Sequence, residues 1–142
     1  LKYPFFGPVL GSREPIVVGR SNPREDLVAV LEGGEARLKQ GRSVIVFPQS
    51  TRSSVFDPAH FNTIGVKLAK RAGVPVIPVA LKTDAWGNGN LLKDFGPVDV
   101  KKTIHFEFGA PMRIEGTGKA EHQQITEFII DRLGVWGREI GE

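Results

Sequence analysis

The chain has no cysteine and a single methionine in 142 residues, and histidine occurs three times, at His60, His105 and His122. Without cysteine there is neither a disulfide framework nor a thiolate metal site, and three scattered histidines leave little for metal ligation. Long apolar runs are missing too. None approaches the roughly 20 residues that a membrane-spanning helix needs. Repeats and low-complexity tracts do not occur, and there is no dense lysine and arginine stripe with interleaved aromatics of the kind that marks a nucleic-acid binder.

What is present suits one folded domain. Hydrophobic residues make up 40% of the chain, and its length falls within the roughly 100 to 200 residues of a single domain. A formal charge of +3 is mildly basic and fits anionic partners such as phosphate esters or acidic lipid surfaces. Leu1 leads straight into an apolar stretch over residues 3–10, with no initiator methionine. This predicts a portion of a longer chain, with an apolar surface around Tyr3, Phe5 and Phe6 that invites self-association.

Short β-rich runs alternate with longer helical patterns, which predicts an α/β fold with a mainly parallel sheet and flanking helices. Residues 15–20 form the first expected strand. Asn22 and Pro23 are the cap and first residue of a helix that places Leu27, Leu31 and Leu38 on one face, weakened by Gly33 and Gly34. Residues 43–47 form a second strand, stopped by Pro48. Asp57 and Pro58 open a helix through Ala72, closed by Gly73. Residues 76–81 form a third strand, with Pro75 and Pro78 suggesting an edge position or an irregular start, 83–100 a loop, 103–108 a fourth strand and 121–136 a closing helix. On that helix Ile125, Phe128, Ile129, Leu133 and Trp136 make a stripe that either packs in a core or lies at a membrane interface. Lys67, Lys70 and Arg71 are either a solvated helix surface or a face toward anionic lipid.

The chemistry concentrates after the second strand, where Gln49, Ser50, Thr51, Arg52, Ser53 and Ser54 follow Phe47 and Pro48. Ligands collect beyond the carboxyl ends of strands in open α/β sheets, and loop N–H groups there can cradle an anion. A guanidinium forks onto two phosphate oxygens, and hydroxyls add donors. Chemistry alone leaves open a polar surface turn with a solvated arginine.

This loop resembles the F-P-E-G-T-R-S block of the glycerophospholipid acyltransferase family through Phe47, Pro48, Thr51, Arg52 and Ser53. Residues 72–80 resemble the family's V-P-[VI]-[VI]-P-V block. Upstream, Pro4, Phe5, Phe6, Gly7, Gly11 and residues 16–20 resemble its G-x-x-F-I-x-R block. The resemblance implies a cytoplasmic enzyme, peripheral to an anionic membrane surface, that acylates a phosphorylated glycerol or lysophospholipid acceptor. The acyl thioester donor, carried by coenzyme A or acyl carrier protein, would be a substrate, and no cofactor or metal is implied. Arg52 and Arg20 would hold the acceptor's phosphate, Thr51 and the backbone would shape the pocket, and Pro75 and Pro78 would form a wall. Gln49 stands where the family has glutamate, keeping an acceptor oxygen for a glycerol hydroxyl without the charge. Ser50 stands where it has glycine.

The family's catalytic element is a histidine followed, after four residues, by an aspartate that orients it as general base. His60 and His105 are followed at that spacing by Gly65 and Ala110. His122 is followed by Glu127, but it lies downstream of the loop in the closing helix, where it is expected as an exposed histidine. The expectation is therefore an acceptor-binding portion that is inactive alone, and the alternative is a non-catalytic phosphate- or lipid-binding module.

Overall fold

In the computed structural model, which describes residues 15–16, 22–49, 55–85, 87, 96–137 and 140–141, the chain divides into two compact units, Leu1–Val46 and Phe47–Glu142. The first contains helix α1 (Pro23–Lys39). Asn22 caps it as expected, its Oδ1 accepting from Arg24 N at 3.1 Å and its Nδ2 donating to Glu25 at 2.7 Å. Glu25 and Asp26 in the first turn, with Arg37 and Lys39 in the last, complement the helix dipole. Gly33, read in the sequence as a weak point, sits against Ile16: an added Cβ would come within 3.3 Å of two Ile16 side-chain atoms. Of the first expected strand, only Pro15 and Ile16 are described, and neither is in a strand; the rest lies outside the described residues.

The second unit contains a short 3-10 turn (Pro58–His60), helix α2 (Ile64–Ala72), strands β1 (Val79–Lys82) and β2 (His105–Phe108), and helix α3 (Lys119–Val135). This is a mixed α/β arrangement, but the sheet is antiparallel: Val79 pairs with Phe108 and Lys82 with His105. The expected parallel ladder is not seen among the described residues, where parallel pairing is confined to the isolated bridge between Phe56 and Ile140. Residues 43–47 show the alternating exposure of a strand, with Ile45 and Phe47 exposed and Val44 and Val46 half-buried, yet they are not in one. Alternation describes side chains, whereas a strand exists only where its backbone finds partner strands.

The strand expected over residues 103–108 starts at His105, and the one expected over 76–81 starts late for an identifiable reason. Val76 pairs with Met112 and Gly109 N donates to the Pro78 carbonyl at 2.9 Å, but Pro78 has no N–H to return, so the ladder begins at Val79. The helix expected from Pro58 is broken as well. Asp57 caps only the 3-10 turn, Phe61 is extended at φ −85 and ψ 99, and α2 starts at Ile64. Its end is as expected, with Gly73 left-handed at φ 66.

The core forms on α3. Ile125, Ile129 and Leu133 are buried with Phe56 and Val66, and Phe61, Val76, Met112, Phe128 and Trp136 pack around them. The stripe of the closing helix is therefore a core face and is not available to a bilayer. Sheet residues of one parity turn toward this helix: Ala80 is fully buried, Glu107 faces Arg132 at 3.5 Å, and His105 stacks on Trp136 with ring centroids 4.9 Å apart. Lys82 Nζ donates to the Trp136 carbonyl at 2.5 Å, placing a cation at the carboxyl end of α3. None of the described helices is long and apolar enough to cross a membrane.

At the start of α3, Gly118 is left-handed at φ 78, and a Cβ there would lie 2.5 Å from Val66 Cγ1 and 2.9 Å from Ile114 Cγ2. Backbone strain and overpacking each cost about 1–3 kcal/mol. Gly118→Ala should therefore destabilise the protein by about 2–6 kcal/mol in chemical denaturation. A midpoint equal to that of the unsubstituted protein would contradict this packing.

Candidate functional site

Pro48 cannot donate a backbone hydrogen bond, so its carbonyl is what ties the start of the hydroxyl-rich loop to the fold. That carbonyl accepts from the side-chain Nδ2 of Asn62, and from the Asn62 backbone N–H at 3.5 Å. The Asn62 Oδ1 in turn accepts from Ile64 N at 3.0 Å, capping α2. One side chain thus joins the start of the loop to the start of a helix whose Val66, Leu68 and Ala69 are buried.

On the far side of the loop, Phe56 is a core residue, and its carbonyl accepts from Gly141 N at 2.7 Å. Both shoulders of the loop are therefore anchored within the same unit. Gln49 is half-buried beside the Pro48 anchor. Ser50, Thr51, Arg52 and Ser53 lie outside the described residues, as does Arg20. Pro78 is buried, while Pro75 is exposed.

A second arrangement appears just beyond the loop. Asp57 Oδ1 accepts from Ala59 N at 2.9 Å, and its Oδ2 lies 2.5 Å from His60 Nδ1. Hydrogen bonding from His60 is the main influence holding the Asp57 carboxyl below its ordinary pKa, with help from the Ala59 N–H and the His60 charge and against partial desolvation. A carboxylate on Nδ1 orients an imidazole so that Nε2 is free to accept a proton. The family's pattern does not reveal this pair, because it places the acid downstream of the histidine. The signal was the Asp57 and Pro58 cap, which puts a carboxylate three residues ahead of His60. The His60 side chain is 78% exposed, so water reaches it freely.

The other histidines are engaged in packing. His122 is half-buried and stacks on Phe61 with centroids 5.7 Å apart, correcting the expectation of an exposed position. Glu127, the acid at the family's spacing, instead accepts from Gln123 Nε2 at 2.9 Å. Lys70 Nζ donates to the Gly116 carbonyl at 2.6 Å, so part of the basic face of α2 is committed within the fold. A hollow of about 110 Å³ lies between Lys70, Val74 and Arg113. It is smaller than the roughly 300 Å³ of ordinary ligand pockets. Among the described residues, no cluster of three or more histidines and carboxylates is placed to hold a metal ion.

Comparison with known proteins returns a family model described as Acyltransferase, matching residues 1–82. The chain is 35% identical over 118 residues to a 1-acyl-sn-glycerol-3-phosphate acyltransferase of Pseudomonas aeruginosa, an alignment covering 83% of this chain and 44% of the relative. It is 29% identical over 101 residues to a protein of the same name from Cocos nucifera, covering 70% of this chain and 33% of the relative. The chain thus spans less than half the length of either relative. No solved structure matches.

Because its folded-state pKa is depressed, Asp57 contributes stability that is present above its unfolded pKa and lost as pH falls through the folded value. Carboxyl NMR titration should place Asp57 below the ordinary aspartate range, and His60→Ala should return it upward. An Asp57 midpoint indifferent to His60 would show that the pair does not form in solution.

Proposed function

The chain belongs to the glycerophospholipid acyltransferase family, and from that premise we propose that it forms the acceptor-binding part of an enzyme that acylates a 1-acylglycerol 3-phosphate in phospholipid synthesis. The reaction joins an acceptor hydroxyl oxygen to the thioester carbonyl carbon. The carbon–sulfur bond breaks, and the thiol of coenzyme A or acyl carrier protein leaves with the proton. The acceptor would be met at an anionic membrane surface, which the net charge of +3 suits.

The observation that carries this reading is that the family match spans the whole hydroxyl-rich loop and the 72–80 block behind it, not one short motif. The names of both curated relatives specify the same acceptor. In this reading Arg52 and Arg20 bind the phosphate, Thr51, Ser50 and Ser53 add donors, and Gln49 meets the glycerol part. Pro78 belongs to the block behind the loop.

A positioned general base typically supplies about a hundred- to ten-thousandfold. His105 and His122 are stacked on aromatic rings, while His60 has its carboxylate but stands in solvent. These placements favour an acceptor-binding role for this portion, with the base supplied from elsewhere in the protein. Acyl transfer by the 142-residue chain alone should not rise above background. Turnover that disappears in His60→Ala would overturn this and make the Asp57–His60 pair the base.

A charge-assisted hydrogen bond to phosphate contributes about 1.5–3 kcal/mol. In the full-length protein, Arg52→Ala should therefore weaken acceptor affinity by roughly ten- to a hundredfold with little effect on folding. Unchanged acceptor kinetics would remove Arg52 from the phosphate site.

A further inference from the structure

We infer that Asn62 is a positioning residue for the acceptor, acting through the Pro48–Gln49 peptide to fix the place from which Gln49 meets the glycerol part of the substrate. The inference rests on the acceptor-loop reading above and adds to it a residue outside the loop.

The peptide bond is planar, so holding the Pro48 carbonyl also holds the Gln49 N–H and the Cα from which the Gln49 side chain departs. Asn62 holds that carbonyl with its Nδ2, from 14 residues further along the chain. Its amide plane is not free to turn, because the opposite end accepts from Ile64 N at 3.0 Å. The base of this clamp is firm, since the helix it caps buries Val66, Leu68 and Ala69.

The helix break points the same way. Asp57 and Pro58 are good starting residues, and a continuous helix to Ala72 would satisfy its backbone internally. The structure instead stops at a three-residue turn and passes through extended Phe61 before α2 begins. That interruption releases Asn62 from helical geometry and lets it cap α2 and reach Pro48 at once. A local departure from the favoured structure beside a binding loop is where function and propensity compete.

The chemistry of Gln49 identifies what is positioned. A neutral amide offers one acceptor and two donors, which match hydroxyl groups and add no charge toward phosphate. Asn62 should therefore affect recognition of the glycerol part and leave phosphate recognition, assigned to Arg52, untouched.

The test uses the full-length protein with 1-acylglycerol 3-phosphate as acceptor and inorganic phosphate as a competing inhibitor. Asn62→Ser keeps an oxygen able to cap Ile64 N but is too short to bond Pro48. It should raise the acceptor KM about three- to tenfold, as expected for loss of binding made equally in ground and transition states. The kcat, the Tm and inhibition by inorganic phosphate should stay as in the unsubstituted protein. Asn62→Ala should show the same KM and a lower Tm, because the cap is lost as well. If Gln49→Ala raises KM while Asn62→Ser does not, Asn62 is only a helix cap and the inference fails. Equal weakening of phosphate inhibition in Asn62→Ser would also overturn it, since the residue would then be holding the whole loop. If neither Gln49→Ala nor Arg52→Ala changes the acceptor KM, the acceptor-loop reading itself is wrong.

Discussion

The larger unit depends on the burial of one stripe of α3. Ile125, Ile129 and Leu133 recur every four residues, and Phe56, Val66 and the α3-facing side of the hairpin pack against them. Burying each such side chain contributes about 1.5–3 kcal/mol. Three of them together reach the scale of a domain's whole net stability. The helix starts without a side-chain N-cap, from a left-handed Gly118, and the buried Glu121 in its first turn accepts from Glu115 N at 2.8 Å, fastening the preceding turn to it. Its position within the first turn also opposes the positive end of the helix dipole.

Packing against α3 gives the hairpin two unlike faces. Ala80, Lys82, His105 and Glu107 turn to the helix, and the alternate residues turn away. Among the latter, Leu81 is exposed, as are Phe106 at 53% and Phe108 at 64%, with Ile77 and Ile104 exposed close by. Phe106 and Phe108 pack edge to face with centroids 4.9 Å apart. An apolar face of this kind is characteristic of an interface. The sequence placed its expected apolar surface at Tyr3, Phe5 and Phe6, which lie outside the described residues.

The same unit anchors both shoulders of the hydroxyl-rich loop. Phe56 fastens one to the core, and Asn62 fastens the other to α2. The Asp57–His60 pair sits between these anchors, where it stabilises the 3-10 turn that the helix break leaves behind.

The sequence by itself determined the family, through three ordered blocks, and the local signals that depend on near neighbours. Asn22 and Pro23 begin a helix, Gly73 ends one, and the four-residue spacing on α3 marks a single apolar face, because capping and helical periodicity are satisfied within a few residues. Only the tertiary structure decided that residues 43–47 remain unpaired among the described residues, that the hairpin runs antiparallel and that the helix after Asp57 breaks at Phe61. It likewise brought Asn62 to Pro48 and turned Asp57 onto His60. Strand pairing and side-chain clamps need partners that only folding brings together, and no pattern of neighbouring residues specifies which distant backbone group will be there to receive them.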